Sequence, residues 1–162
     1  MDFDGTVDLS PKLLNNLDMA IASQHIWCMP QGGGPEENTA AMVRAMDNCP
    51  KICILGHPDD GRYPLDYPAL VRAAGERGVL LEVNNTSLSP ACSRVNSTAN
   101  VTEMLKHCGG RAYRWWWAAM PTLSPPWAAI NMPRPCWTSW TFPRSWCSTG
   151  SPPPSWPTWS AG

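Results

Sequence analysis

A strand, a polar loop and a helix follow one another three times between residues 17 and 109, and this repetition constrains the fold more than any other feature of the sequence. The predicted strands are short apolar runs at Asp18–Ser23, Lys51–Gly56 and Val79–Val83. Runs of this kind are typical of strands that are buried on both faces of a sheet. Because strands alternate with helices, the sequence predicts an α/β fold with a parallel sheet or a βα barrel.

The three helices are predicted from the spacing of their apolar residues. The first begins after Pro35, the second runs from an N-cap at Asp66 to a stop at Gly78, and the third spans about 99–108 and ends at Gly109. The residues expected to face the sheet are Met42, Val43 and Met46 in the first helix, Leu70, Val71 and Ala74 in the second, and Val101, Met104 and Leu105 in the third.

The composition changes abruptly near Tyr113. From Met104 to the end of the chain there is no Asp or Glu, and nine of the ten tryptophans follow Arg114. A fourth strand is expected to begin near Arg111, but the regular pattern stops. We therefore predict that the α/β region ends near residue 113 and that 114–162 form a disordered tail, because the prolines of the tail disfavour helices and interior strands; the resemblance described below implies that the region over 1–113 is part of a βα barrel.

The tail also has the composition of a GC-rich gene read out of frame. If each codon is read from the third base onward, beginning with the codon of Arg114, the consecutive Trp115, Trp116 and Trp117 force two valines, and Trp117 followed by Ala118 forces a glycine. A suitable choice of the remaining bases gives Val-Val-Val-Gly-Ser-Asp-Ala-His. We interpret the tail as a frameshift product; the alternative is a genuine Pro/Trp-rich binding segment.

Charge and cysteine content exclude several classes of protein. The formal net charge is -1 and the basic residues do not cluster, which argues against a nucleic-acid partner. No window approaches the roughly 18 apolar residues that a membrane helix needs, and no leader precedes the first strand, so we expect a cytoplasmic protein without a membrane partner. The seven cysteines include no C-x-x-C pair and are expected to be thiols. Nothing in the sequence predicts an oligomeric state.

Polar side chains follow each predicted strand where it ends. His25 follows the first strand, His57 follows the second, and Glu82, Asn84 and Asn85 close the third. Because the carboxyl ends of parallel strands meet at one edge of a sheet, these groups are expected to lie together and to form a metal or substrate site.

Two further residues have metal-binding side chains in less suggestive positions. His107 lies near the end of a predicted helix, where an imidazole complements the helix dipole, and we assign it no role. Cys28 lies three residues after His25 and is a possible additional metal ligand, but a buried or loop thiol explains it equally well.

Three segments, LDMAIASQH, ENTAAMVRAM and ILGHPDDGRYPLDYPALVRAAGERGVLLEVNNTSL, resemble the middle of a small protein of the PHP (polymerase and histidinol phosphatase) family. The resemblance covers residues 2 to 113. It implies a distorted seven-stranded βα barrel, of which about three βα units are present, and a phosphoesterase that uses zinc, manganese or iron ions to activate water against a small phosphorylated substrate.

The same resemblance implies that His25 and His57 are metal ligands and that Asn84 and Asn85 lie at the rim of the site. No catalytic residue is assigned. The His-x-His pair that begins the family's site would precede Met1, and the strand with Gly-Ser-Asp-x-His would stand where the tryptophans are. We therefore expect the chain as written to be a poor or inactive phosphatase.

Two other interpretations remain open at this point. The opening MDFDGTV resembles the Asp-x-Asp-Gly-Thr motif of haloacid dehalogenase-type phosphatases, with Asp2 as nucleophile and Asp4 as general acid, although a simple turn at Asp4 and Gly5 also fits. The other is a truncated protein without enzymatic activity.

Overall fold

The computed structural model is a layer of helices packed on a parallel β-sheet. It describes residues 1–29, 33–90, 92–109 and 115–118. In chain order the elements are α1 (Pro11–Asn15), β1 (Ala20–Ala22), α2 (Pro35–Asn48), β2 (Ile52–Leu55), α3 (Tyr67–Arg77), β3 (Leu80–Asn84), a 3₁₀ helix (Asn85–Leu88), α4 (Ser97–Gly109) and β4 (Trp115–Ala118).

The sheet has the strand order β1-β2-β3-β4, and every pair is parallel. Ala22 lies opposite Leu55, and Leu55 lies opposite Leu81, so β1, β2 and β3 end close together. The expected α/β fold with a parallel sheet is confirmed. Within the described residues the sheet is open, since β1 and β4 each pair with a single neighbour.

Each strand after β1 is reached through a helix. Successive helices lie side by side, because α2 contacts α3 and α3 contacts α4. The buried core includes Met42, Leu55, Leu70, Leu81 and Met104. Of the residues predicted to face the sheet, Val43 and Leu105 are only partly buried and the others are buried.

Helix α3 has the boundaries that the sequence predicts. The Asp66 carboxylate accepts a hydrogen bond from the Ala69 N–H at 3.1 Å, which caps the first turn. Gly78 ends the helix with a φ of 68°, in the left-handed region that glycine enters without steric cost. The chain then turns directly into β3.

Other boundaries differ from the prediction. β1 and β2 are shorter than expected, α4 begins two residues earlier at Ser97, and α1 was not predicted. Ser10 caps α1 and Pro11 occupies its first turn, but the helix is five residues long and buries none of its side chains, so apolar periodicity could not reveal it.

The fourth strand differs most from the expectation. β4 lies at Trp115–Ala118 and pairs with β3, from Leu81 opposite Trp115 to Asn84 opposite Ala118. A regular element is therefore found beyond residue 113, where the sequence pattern was expected to stop. Residues 119–162 lie outside the described residues, and their predicted disorder and out-of-frame origin stay predictions.

In the described part of the chain, the cysteines do not form a disulfide framework, and the helices do not include a candidate membrane span. Cys28, Cys49, Cys92 and Cys108 are thiols, and burial raises the pKa of Cys108 to about 11. None of the helices combines the length and apolar character needed to cross a bilayer.

Candidate functional site

Two histidines meet at the carboxyl end of the sheet. His25 follows β1 and His57 follows β2, and because these strands are adjacent and parallel their ends bring the two side chains together. The Nε2 atoms are 3.3 Å apart, and the rings meet edge to face with centroids 4.8 Å apart. The sequence predicted this proximity from strand order alone.

The backbone of His57 is strained and is held by Glu82. The φ of His57 is 33°, which is uncommon for a residue with a β-carbon. Its N–H donates to Glu82 Oε2 at 2.6 Å, and Asn84 Nδ2 donates to Glu82 Oε1 at 3.3 Å. Glu82 is buried on β3, so this carboxylate joins the end of β3 to the turn that presents His57.

The environment of His57 favours its neutral form. Burial lowers the pKa of His57 to about 4, and the positive charges of Arg94 and His25 act in the same direction. His25 is exposed, whereas His57 is 9% exposed. His57 is therefore neutral near pH 7, and a neutral imidazole is the form that can bind a metal ion.

The spacing of the two imidazoles fits a shared metal ion. Two nitrogens bound to tetrahedral zinc at about 2.0–2.1 Å lie roughly 3.3–3.4 Å apart, close to the observed 3.3 Å. Among the residues that the structure describes, no group of three or more His, Cys, Asp or Glu side chains is arranged to hold a metal. The role of His25 and His57 as metal ligands stays a prediction, and Cys28 does not bring the number of neighbouring ligand side chains to three.

The asparagines at the end of β3 have structural contacts. Asn84 caps the 3₁₀ helix, because its Oδ1 accepts from the Thr86 N–H at 2.9 Å while its Nδ2 binds Glu82. Asn85 is buried in the first turn of the same helix. Their placement at the rim of a substrate site stays a prediction.

The remaining candidates lie away from the histidine pair or in other kinds of structure. Asp2 and Asp4 belong to a turn, in which Gly5 N–H donates to the Asp2 carbonyl and Asp4 Oδ1 accepts from Thr6 N–H. These contacts are those of a simple turn, the other interpretation of this segment. His107 lies on α4 with its Nε2 3.1 Å from Glu103 Oε1.

Sequence reasoning missed Asp59, which follows His57 by two residues. Its side chain is fully buried, and neither carboxylate oxygen has a hydrogen-bond partner among the described residues. Burial raises the pKa of Asp59, and the nearby hydroxyls of Ser87 and Ser97 offset part of this effect. The signal in the sequence was the pair Asp59 and Asp60 directly after a strand end.

Arg94 was also missed. Its Nη1 donates to Ser87 Oγ at 3.0 Å, and its charge acts on His57. Ser87 lies in the 3₁₀ helix that follows β3, so Arg94 reaches back from the loop before α4 to the same end of the sheet. A single arginine in a polar loop gave no periodic pattern to detect.

The chain is similar to several proteins that are named probable phosphatases. It is 41% identical over 108 residues to one from Clostridium novyi, which covers 67% of this chain and 43% of that protein. The identity, length and coverage are the same for one from Clostridium acetobutylicum. A third, from Syntrophotalea carbinolica, is 42% identical over 107 residues, or 64% of this chain and 42% of the relative.

No protein-family model matches the chain. All three relatives are named probable phosphatases. The similarity covers about two thirds of this chain, whereas the chain spans less than half the length of the relatives that it matches.

Proposed function

We propose that this chain is part of a metal-dependent phosphoesterase of the PHP kind, which hydrolyses a small phosphate ester. The observation that carries the proposal is the meeting of His25 and His57 at 3.3 Å, at the end of the sheet where a βα fold collects its working residues. Relatives named probable phosphatase support the reaction class. The parallel β1-β2-β3-β4 order is also compatible with one section of a larger barrel.

In this proposal the protein's own residues hold and orient the site. His25 and His57 supply imidazole nitrogens, burial keeps His57 neutral, and Glu82 fixes the backbone from which His57 projects. A bound zinc, manganese or iron ion would act as a Lewis acid that makes water nucleophilic near neutral pH and offsets the charge of the phosphate. With two ligands from this chain, hydrolysis by the chain alone is expected to be weak.

The proposal is tested by metal binding and hydrolysis in the same samples. The chain is stripped with a chelator and titrated with Zn²⁺ and Mn²⁺, and hydrolysis of p-nitrophenyl phosphate is then measured. His25→Ala and His57→Ala are expected to weaken metal binding by at least about tenfold and to abolish any hydrolysis. His107→Ala is the matched control, because His107 lies on α4 and pairs with Glu103.

Two results would contradict the proposal. Unchanged metal affinity in both His25→Ala and His57→Ala would show that these histidines do not bind the metal. An equal loss of metal affinity in His107→Ala would show that the effect is not specific to the pair. Hydrolysis that survives both changes but is lost in Asp2→Asn would favour the dehalogenase-type mechanism instead.

A further inference from the structure

A polar cavity of about 360 Å³ lies beside the loop that leads into α4. Its lining includes the hydroxyls or backbone of Ser87, Ser97 and Thr98, together with the side chain of Arg94. This volume is many times the roughly 30 Å³ that one water molecule occupies in the liquid, so it is large enough for a small polar ligand.

Arg94 provides the positive charge of this cavity. It is half-buried and oriented by its hydrogen bond to Ser87 Oγ at 3.0 Å. Among the described residues no carboxylate lies within ion-pair distance of Arg94, and Asp60 is instead paired with Arg62. A guanidinium that is fixed by one hydrogen bond retains donors for a planar or tetrahedral anion.

The amino terminus of α4 provides hydrogen-bond donors at the same place. Ser97, Thr98 and Ala99 form the first turn of this 13-residue helix and line the cavity. The first N–H groups of a helix have no partner within the helix, and they favour anions. The Ser97 side chain is 5% exposed, and its Oγ makes no hydrogen bond of regular geometry among the described residues, although this hydroxyl lies near the buried Asp59 carboxyl and lowers the pKa of that group.

We infer that Arg94, Ser97 and the first turn of α4 bind the phosphate group of the substrate. The cavity combines a cation fixed by a hydrogen bond, a buried hydroxyl without a hydrogen bond of regular geometry and the N–H groups of a helix start, which together match the charge and the acceptor oxygens of a phosphate. Ser87 belongs to the 3₁₀ helix that directly follows β3, so the cavity lies toward the same edge of the sheet as the histidine pair. The inference rests on the proposed function in one respect, namely that the bound phosphate belongs to an ester substrate.

The inference is tested with inorganic phosphate and the full 162-residue chain. Calorimetric titration is carried out in chelator at low ionic strength, so that neither metal nor the histidine pair is required. Arg94→Gln is expected to weaken phosphate binding by at least about tenfold, because it removes a charge-assisted hydrogen bond. Arg94→Lys keeps the charge and should give an intermediate loss, and Ser97→Ala should weaken binding by about threefold.

The matched control for the loss of one positive charge is Arg72→Gln, because Arg72 is exposed on α3, away from this cavity. It should leave the affinity within about twofold, since an isolated surface charge is largely screened. Circular dichroism shows whether each variant is folded. If Arg94→Gln does not fold, the phosphate affinity of Ser97→Ala tests the inference instead.

Unchanged phosphate affinity in Arg94→Gln, an equal loss in Arg72→Gln, or no measurable binding by the unsubstituted chain would overturn the inference. Its failure is distinguishable from that of the proposed function. Phosphate binding that depends on Arg94 without metal-dependent hydrolysis would contradict only the function, whereas hydrolysis that depends on His25 and His57 but is insensitive to Arg94 would contradict only the phosphate site.

Discussion

The two ends of the sheet differ in the polarity of their buried residues. At the carboxyl end, buried polar residues occupy the strand ends, the loops that follow them and the first turns of α2 and α4: Gln24, Asn38, Thr39, His57, Asp59, Asp60, Glu82, Asn85, Ser87 and Ser97. At the opposite end, the chain enters β2 and β3 through buried apolar residues such as Cys49, Ile52 and Val79. Burying polar groups costs stability unless they are paired, so the carboxyl end carries a cost that the other end avoids.

Backbone strain has the same distribution. Among the described residues, His57 and Asn96 are the non-glycine residues with positive φ, at 33° and 55°, and both lie at the carboxyl end. Such conformations cost of the order of 1–3 kcal/mol each and persist where the surrounding structure imposes them. The turn at Gly78 on the opposite side uses glycine and avoids that cost. The comparison indicates that strained backbone and buried polar groups are concentrated at the carboxyl end of the sheet, whereas the other end avoids both costs.

The largest effect on stability is expected at the apolar end of the sheet. Ile52 is buried at the start of β2, at the apolar end, and Ile52→Ala should lower the free energy of unfolding by about 2–5 kcal/mol, because it removes buried methyl groups and leaves a cavity. Urea denaturation measures the change. The control is Leu13→Ala on α1, where the side chain is 53% exposed and the expected change is within about 0.5 kcal/mol. Equal losses in the two variants would contradict the comparison.

A smaller effect is expected from pH at the polar end. The pKa of His57 is about 4 in the folded chain against 6.5 in the unfolded chain, so between these values the unfolded chain binds more protons. Stability contributed by neutral His57 is thus present above pH 6.5 and is lost as pH falls toward 4, by up to about 3 kcal/mol.

Denaturation curves of the metal-free chain at several pH values measure this slope. His57→Gln should flatten it, whereas His107→Gln, which changes an imidazole on the surface of α4, should leave it unchanged. A slope that is the same in all three proteins would show that burial of His57 does not affect stability.

The smallest of the three effects concerns Glu82, which links the two strand ends. Glu82→Gln retains the shape of the side chain but weakens the hydrogen bond from the His57 N–H, so we expect a loss of about 1–3 kcal/mol in stability together with weaker metal binding. Thermal melting and metal titration measure the two changes. Glu76→Gln on the exposed surface of α3 is the matched control and should alter neither.

Helix caps and strand order could be predicted from the sequence. Asp66 and Gly78 defined α3 because a side-chain cap and a left-handed C-cap are properties of single residues. The proximity of His25 and His57 followed from strand order, since parallel neighbours end at the same edge. The place of β4 beyond residue 113 follows from its pairing with β3 and not from its composition, and the predicted domain boundary stays a prediction.

The contacts that the sequence did not predict are those that depend on three-dimensional packing. Asp59 and Arg94 come together with Ser87 and Ser97 through loops of irregular conformation, and no spacing along the chain encodes that arrangement. The role of Glu82 was missed for a related reason. Its position near the end of β3 was evident, but its hydrogen bond to the backbone of His57 depends on the turn after β2.

The order β1-β2-β3-β4 also determines how the chain can be assembled during synthesis. Every strand pairs with the strand before it in the sequence, so each pairing can form as soon as the second member and its connecting helix have left the ribosome. Within the described residues, no later strand is inserted between two strands that were synthesised earlier. The sheet can therefore grow in one direction, one βα unit at a time, and the end that bears His25 and His57 takes shape before β4 is translated.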